Sequence, residues 1–107
     1  MEAARDDEVL RAAALEVRPA ESTALVDGRA LQLSVREFDL LVALARKPWQ
    51  VFTREILLQE VWGYRHAADT RLVNVHVQRL RSKIEHDPER PQIVVTVRGV
   101  GYKAGPP

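Results

Sequence analysis

Residues 71–85 constrain the fold of this chain most, because their apolar side chains repeat at the spacing of an α-helix. Val73, Val77, Leu80 and Ile84 fall within one narrow stripe when each residue turns by about 100°. The opposite side of the same helix carries Arg71, Val75, Gln78, Arg79 and Ser82. We therefore predict a helix with one face in a hydrophobic core and a polar, cationic face exposed to solvent.

Short strands are predicted before and after the helical part of the chain. Residues 15–17 and 31–33 alternate between apolar and polar, and residues 23–26 are β-prone. Asp27-Gly28 is a strong hairpin signal, since a two-residue turn favours positive φ at both positions. A second hairpin is predicted from residues 93–97 and 102–103, with its turn at residues 98–101. Residues 1–8 read as an acidic linker, so the predicted domain spans residues 9–105.

Another helix is predicted directly after the first group of strands. Ser34 and Glu37, three residues apart, form a capping box at its start. The apolar residues that follow at helical spacing are Phe38, Leu41, Val42 and Ala45. This helix should end near Lys47, because Pro48 disfavours helical geometry in the residue before it.

A further helix is predicted over residues 53–62, with Thr53 as its N-cap and Gly63 at its end. Its predicted buried residues are Ile56, Leu57, Val61 and Trp62. Residues 64–70 read as a polar loop, and Asp69 or Thr70 is predicted to cap the helix over 71–85.

The net charge of +1 hides a division between two parts of the chain. Residues 1–60 hold eight Lys and Arg against eleven Asp and Glu, whereas residues 61–107 hold eight against four. Thirteen of the 16 cations are arginine, whose planar guanidinium suits phosphate groups and guanine edges. The second part is therefore the one predicted to meet an anionic partner.

Several function classes find no support in the sequence. The chain has no cysteine, and His66, His76 and His86 recur at a ten-residue step that leaves them on different sides of any helix. We therefore predict no metal site, no cofactor and no enzymatic activity. No apolar run approaches the roughly 20 residues of a membrane span, and the start lacks the basic and apolar regions of a signal peptide.

The order of elements indicates a DNA-binding arrangement. A helix, a connector and a cationic helix form a helix-turn-helix, whose second helix enters the major groove. The hairpin that follows carries Arg98 at its tip, between Thr96 and two glycines, where it could enter a narrow minor groove. Two alternatives stay open: the cationic face is simply solvated, or the winged helix binds protein or RNA instead of duplex DNA.

Four stretches of the sequence together resemble one protein family. They are LSVREFDLLVALAR, FTREILLQEVWGY, RLVNVHVQRLRSKIE and VVTVRGVGYK. Over nearly the whole chain they are similar to the winged-helix effector domains of the OmpR/PhoB response-regulator family. The resemblance implies an α+β fold: a winged helix-turn-helix with an N-terminal four-stranded antiparallel sheet, three helices and a C-terminal β-hairpin wing.

The resemblance also implies sequence-specific binding of double-stranded DNA, with residues 71–85 as the recognition helix. Base contacts are expected from Leu72, Asn74, Val75, Gln78 and Arg79. Backbone contacts are expected from Arg71, His76, Arg81, Lys83 and Thr96, and Arg98 is expected in the minor groove. Asn74 and Gln78 stand where many relatives have Asp and Arg, so the bases read there stay open.

Further partners follow from the resemblance alone. In the family the loop between the second and third helices contacts RNA polymerase, which singles out Tyr64, Arg65 and His66, although a simple connector would look the same. A second copy is expected head-to-tail on direct-repeat half-sites. A sensor kinase would act only through a phospho-acceptor receiver domain, for which 107 residues leave no room. We expect a cytoplasmic transcription regulator with no membrane partner.

Overall fold

The computed structural model describes residues 7–63 and 69–107, within which two small sheets accompany three helices. The first sheet has four antiparallel strands in sequential order: β1 (Leu10–Ala12), β2 (Leu15–Arg18), β3 (Thr23–Val26) and β4 (Arg29–Ala30). Asp27 and Gly28 form the turn between β3 and β4, and their φ angles of 51° and 80° are both positive. The hairpin predicted at this dipeptide is confirmed.

The boundaries of this sheet differ from the predicted strands at both edges. β1 was not among the strands predicted from alternation, and β4 ends before residues 31–33, where alternation placed a strand. Leu31 and Leu33 lie in irregular chain and pack against the core, and the Leu31 N–H donates to the carbonyl oxygen of Ala24 at 2.9 Å. Alternation indicates that one face of a segment is buried, and a segment can bury one face without pairing as a strand.

The first helix, α1 (Val35–Ala45), begins at the predicted capping box. Ser34 Oγ accepts a hydrogen bond from the Glu37 N–H at 3.2 Å, and Glu37 Oε1 accepts one from the Ser34 N–H at 2.9 Å. The helix ends two residues before Lys47. Its buried apolar residues are Leu40, Leu41, Leu44 and Ala45, and the partly buried Phe38 and Val42 pack beside them.

The second helical segment is less regular than predicted. Strand β5 (Phe52–Thr53) precedes α2 (Arg54–Leu57), and the chain continues in a π-helical turn at Leu58–Trp62. Thr53 caps α2 as predicted, because its hydroxyl accepts a hydrogen bond from the Ile56 N–H at 3.1 Å.

The predicted burial of Ile56 is wrong, since this side chain is 38% exposed. Leu57, Leu58 and Val61 form the buried face of the segment. Ile56 lies about 100° away from Leu57 around the helix axis and further from Leu58, so it falls outside that face.

The third helix, α3 (Arg71–Ile84), buries the stripe predicted from its periodicity. Val73, Val77, Leu80 and Ile84 are all buried in a core that also contains residues of both sheets, of α1 and of the α2 segment. Because this inner stripe is anchored, the opposite face of α3 is held toward solvent.

The chain closes with a hairpin of β6 (Val94–Val97) and β7 (Gly101–Ala104), which is the predicted wing. Strand β5 pairs with β7 and completes a three-stranded sheet in the order β5-β7-β6. A Cβ at Gly101 would overlap the carbonyl oxygen of Phe52, so only glycine permits this close approach. The pairing of β5 was not predicted, because two residues are too few to show alternation.

A buried carboxylate ties α1 to α3. Glu37 is 3% exposed, and its Oε1 accepts a hydrogen bond from Lys83 Nζ at 2.7 Å. Burial alone would raise the pKa of Glu37, but hydrogen bonds from Lys83 and from the Ser34 N–H, with the Lys83 charge, bring it below its ordinary value. The same carboxylate therefore caps one helix and pairs with the other.

We expect Lys83→Met to lower the free energy of unfolding at neutral pH by about 1–2 kcal/mol, because Glu37 loses its cationic donor while Lys83 is itself partly solvated. Since the pKa of Glu37 is lowered in the folded state, its stabilisation is present above the ordinary value of 4.5 and is lost as the pH falls through the folded value. The difference between the two proteins should therefore shrink in acid.

Urea unfolding at neutral pH and at about pH 3 measures this difference. Lys47→Met is the matched control, since it removes the same charge from an exposed side chain. An equal loss from Lys83→Met at both pH values would contradict an ionic role for the pair.

Candidate nucleic-acid interface

The exposed face of α3 is the centre of the candidate site. Its members are the five residues predicted there, all of them exposed: Arg71, Val75, Gln78, Arg79 and Ser82. No acidic residue occurs between Arg71 and Ile84, so the face is cationic and polar around one apolar side chain. The arrangement offers hydrogen-bond donors and acceptors along a rigid helix.

Arg71 stands at the start of this face and pairs with Asp69, two residues earlier in the chain. Its Nε lies 3.1 Å from Asp69 Oδ1, and the hydrogen bond and charge of Asp69 raise the pKa of Arg71. The Asp69 carboxylate also accepts a hydrogen bond from the Arg71 N–H at 3.3 Å, whereas the Thr70 side chain makes no capping bond. Of the two predicted caps, Asp69 thus serves the helix end.

Leu72 and His76 lie on the flank of α3 that faces Trp62. Leu72 is partly buried against the core, and the His76 ring meets the Trp62 ring edge-on with centroids 4.9 Å apart. His76 Nδ1 donates to the carbonyl oxygen of Leu72 at 3.0 Å, because a carbonyl can only accept. This bond leaves Nε2 as the ring nitrogen available to a partner.

Asn74 lies on the other flank and joins three elements. Its Oδ1 accepts hydrogen bonds from Arg54 Nε at 2.7 Å and from the Tyr102 hydroxyl at 2.8 Å. The guanidinium of Arg54 also lies over the Tyr102 ring, 5.0 Å from its centre. Sequence reasoning missed Arg54 and Tyr102, since they are 20 and 28 residues away from Asn74 and no local pattern connects them.

The position predicted for Arg81 is wrong, because this side chain is buried rather than open to a DNA phosphate. Arg81 is 6% exposed and donates from Nε and Nη2 to the carbonyl oxygen of Val94, at 3.0 and 2.7 Å. Nη2 also donates to Thr96 Oγ1 at 2.7 Å. Burial lowers the pKa of Arg81, an effect that Tyr102 and Glu85 partly offset. On α3 this residue lies about 80° from Val73, at the margin of the core, where β6 covers it.

Lys83 is exposed and forms an ion pair with Glu37, so its predicted role in backbone contacts stays a prediction. Its ammonium is paired with the buried carboxylate of Glu37, on the side of α3 that faces α1. The predicted cation is present, but its charge is directed away from the exposed face of α3.

The wing places Arg98 in an exposed turn. Gly99 has a φ of 76°, and the Val100 N–H donates to the carbonyl oxygen of Val97 at 3.0 Å. Thr96 is exposed as a residue, although its hydroxyl accepts the bond from Arg81. Arg81 and Tyr102 therefore connect the base of the wing to α3, while Arg98 extends beyond them.

The three residues predicted for a polymerase contact, Tyr64, Arg65 and His66, lie outside the described residues. Within residues 7–63 and 69–107, no three His, Asp or Glu side chains come close enough to hold a metal ion. His86 instead pairs with Asp27, with Nε2 and Oδ2 2.6 Å apart. No helix of the described ranges is long and apolar enough to cross a membrane.

Comparison with known families decides the class of this domain. Residues 28–104 match the family described as "Transcriptional regulatory protein, C terminal". The chain belongs to this family. It is an OmpR/PhoB-type effector domain, as the resemblance implied, and its winged-helix fold is the predicted one.

Two relatives of this effector domain are response regulators named MtrA. The protein of Mycolicibacterium smegmatis is 76% identical over 80 residues, which cover 75% of this chain and 35% of the relative. The protein of Mycolicibacterium paratuberculosis is 64% identical over 100 residues, which cover 94% of this chain and 44% of the relative. The chain thus spans less than half the length of these relatives.

Two solved structures share the fold of the effector domain. The response regulator DrrB of Thermotoga maritima superposes with a TM-score of 0.80 at 32% identity, over 92% of this chain and 44% of DrrB. The RstA DNA-binding domain of Klebsiella pneumoniae, solved in complex with the RstA box, superposes with a TM-score of 0.81 at 28% identity. That alignment covers 92% of this chain and 97% of the RstA domain.

We expect Arg81→Met to lower the free energy of unfolding by about 2–4 kcal/mol, because the buried carbonyl of Val94 loses its donor and two elements lose their link. Arg79→Met, which removes the same group from the exposed face of the same helix, should change it by no more than about 0.5 kcal/mol. Urea unfolding of both variants measures the two effects. Similar changes in the two would show that Arg81 is not structural.

Proposed function

We propose that this effector domain binds specific sequences of double-stranded DNA with α3 in the major groove and the hairpin wing beside it. The observation that carries the proposal is the exposed face of α3, which is cationic and free of acids while its inner stripe is anchored in the core. DNA-binding transcription regulation is also the function class of its family. The family match supports DNA binding, and the exposed face of α3 is the surface that we propose for it.

The residues of this face suit direct readout of base edges. Arginine pairs with the O6 and N7 atoms of guanine, glutamine pairs with adenine, and an exposed valine can contact the methyl group of thymine. Arg79, Gln78 and Val75 therefore form the proposed base-reading set. Leu72 stays a proposed base contact at the edge of the set, where its partial burial limits its reach.

The proposed backbone contacts surround this set. Arg71 stays in the proposal although it pairs with Asp69, because exposed ion pairs are weak and a phosphate can replace the carboxylate. His76 Nε2 and the exposed residue Thr96 stand at the margins of the face and stay proposed contacts. Arg98 is proposed to enter the minor groove from the wing tip.

Duplex DNA is better supported as the partner than a protein surface. The exposed face of α3, which lies wholly within the described residues, carries a single large apolar side chain, Val75, at 45% exposure. Protein interfaces concentrate apolar and aromatic residues at their centre. A face built from arginine and glutamine around one valine fits a DNA groove better.

The small number of cations available for phosphate contacts favours binding of two copies of the domain to one DNA site. Arg81 is buried against β6, Lys83 shares its charge with Glu37, and the whole chain has a net charge of only +1. Since phosphate contacts supply much of the affinity for DNA, one copy should bind weakly. We propose that two copies bind head-to-tail on direct-repeat half-sites.

The remaining partners are proposals that rest on the family. The response regulators matched above are more than twice as long as the aligned part, which leaves room in such proteins for a receiver domain that a sensor kinase phosphorylates. We also propose that residues 64–66 contact RNA polymerase and that the protein acts in the cytoplasm as a non-enzymatic regulator.

Arg79→Ala should weaken binding to a selected DNA site by about 1–3 kcal/mol and remove the preference for one base pair, because a bidentate guanine contact is lost. Affinities for the selected site, its single-base variants and random duplex measure both effects. Arg90→Ala is the control, since Arg90 is exposed outside α3 and its loss changes the net charge equally. Equal weakening on selected and random DNA would contradict base readout by Arg79.

A duplex with two direct half-sites about 10 bp apart should bind the domain cooperatively, and a single half-site much more weakly. Adding about 5 bp between the half-sites should abolish the cooperativity, because it turns the second copy to the opposite side of the duplex. Mobility-shift titrations of the three duplexes measure the effect. Equal affinity per half-site in all three would contradict pairing of adjacent copies.

A further inference from the structure

Arg54 holds a positive charge beside α3 that no carboxylate pairs with in residues 7–63 and 69–107. Its Nε donates to Asn74 Oδ1, and its guanidinium lies over the ring of Tyr102. Both partners are uncharged, one an amide and the other a phenol. The N–H groups of its terminal nitrogens have no hydrogen-bond partner in the described part of the chain. The guanidinium is thus held in place with its charge and most of its donors available.

The position of Arg54 is defined by its two partners. Asn74 lies one helical turn from both Arg71 and Gln78, which belong to the exposed face of α3. Tyr102 belongs to β7, in the wing. Arg54 is therefore a partly buried cation between the exposed face of α3 and the wing. With α3 in the major groove and the wing in the minor groove, the sugar-phosphate backbone between the two grooves would pass this position.

The contacts of Asn74 weigh against a role in base readout. An amide oxygen has two acceptor sites, and Asn74 Oδ1 already accepts from Arg54 and Tyr102. Because Nε can only donate, the oxygen of Asn74 rather than its nitrogen faces Arg54. An asparagine that reads adenine must accept and donate at the same time, so its oxygen would have to leave both partners.

We propose that Arg54 binds a DNA phosphate and that Asn74 and Tyr102 position its guanidinium for this contact. The proposal rests on the DNA binding proposed above. Fixing Nε and stacking the guanidinium on a ring leaves its terminal N–H groups as a preorganised fork, and such forks suit phosphate oxygens. Because its partner at position 74 is a neutral amide, the charge of Arg54 is not cancelled within the site.

The test compares Arg54→Met and Arg54→Lys with the wild-type chain on a duplex selected from random DNA by the wild-type protein, and on a random duplex of equal length. Arg11→Met is the matched control, because it removes one exposed arginine from β1 in the N-terminal sheet. Affinities are measured over a series of salt concentrations. Urea unfolding confirms that each variant is folded under the binding conditions.

Arg54→Met should weaken binding to both duplexes by the same factor. Losing one phosphate contact lowers the salt slope by about 0.9, so the ratio of wild-type to variant affinity should fall about 3.5-fold between about 50 and 200 mM salt. Arg54→Lys should restore most of the slope, since lysine also binds phosphate as a point charge. Arg11→Met should leave the slope unchanged.

A wild-type slope in Arg54→Met, or the same change in Arg11→Met, would overturn the phosphate contact while leaving DNA binding intact. If the wild-type chain selects no DNA sequence, the proposed function fails as well, so the two failures are distinguishable.

The role of Asn74 is tested separately with Asn74→Ala on single-base variants of the selected site. If Asn74 positions Arg54, Asn74→Ala should reduce the affinity for all the single-base variants of the DNA site by a similar factor. It should also lower the salt slope toward that of Arg54→Met. A loss of preference at one base pair with an unchanged slope would show that Asn74 reads a base, and would overturn its assignment here.

Discussion

A buried guanidinium connects the recognition helix to the wing, and the geometry of the DNA-facing surface depends on it. Arg81 donates to the backbone of Val94 and to the side chain of Thr96, and it lies over the Tyr102 ring at 5.5 Å. The Tyr102 hydroxyl in turn donates to Asn74 on α3. These contacts attach both strands of the hairpin to one helix. These contacts therefore fix the distance between α3, which is proposed for the major groove, and the wing, which is proposed for the minor groove.

Four described cations of the second part of the chain have different physical roles. Arg81 is buried and donates to the Val94 carbonyl oxygen, and the exposed Lys83 pairs with the buried Glu37, whereas Arg79 and Arg98 are exposed on α3 and the wing. The buried Arg81 is the one of these four that is closed off from phosphates and base edges. A count of basic residues therefore overstates the electrostatic attraction for DNA, and it is the small usable charge that makes pairing of two copies physically reasonable.

Much of the fold could be predicted because its signals are local. The capping box at Ser34, the positive-φ turn at Asp27-Gly28 and the buried stripe of α3 all depend on residues within a few positions of one another. The predictions failed where pairing at a distance decides the outcome. Strand β5 exists because Gly101 lets β7 approach Phe52, and nothing in the two-residue strand itself signals this.

The candidate site shows the same limit. Periodicity correctly separated the exposed face of α3 from its core face, since both follow from the geometry of one helix. It could not assign the residues at the margins. Asn74 and Arg81 lie between the two faces, and whether such a residue meets water or protein depends on what packs beside it.

By itself, the sequence determined where the helices and hairpins form and which side of α3 is apolar, because these follow from backbone preferences and short-range periodicity. Only the tertiary structure decided which cations remain free. Arg81 meets Val94 across 13 residues and Lys83 meets Glu37 across 46, and such partners become neighbours only when the chain is folded. Burial and the partners met in the fold, rather than residue type, decide which role each of these cations has.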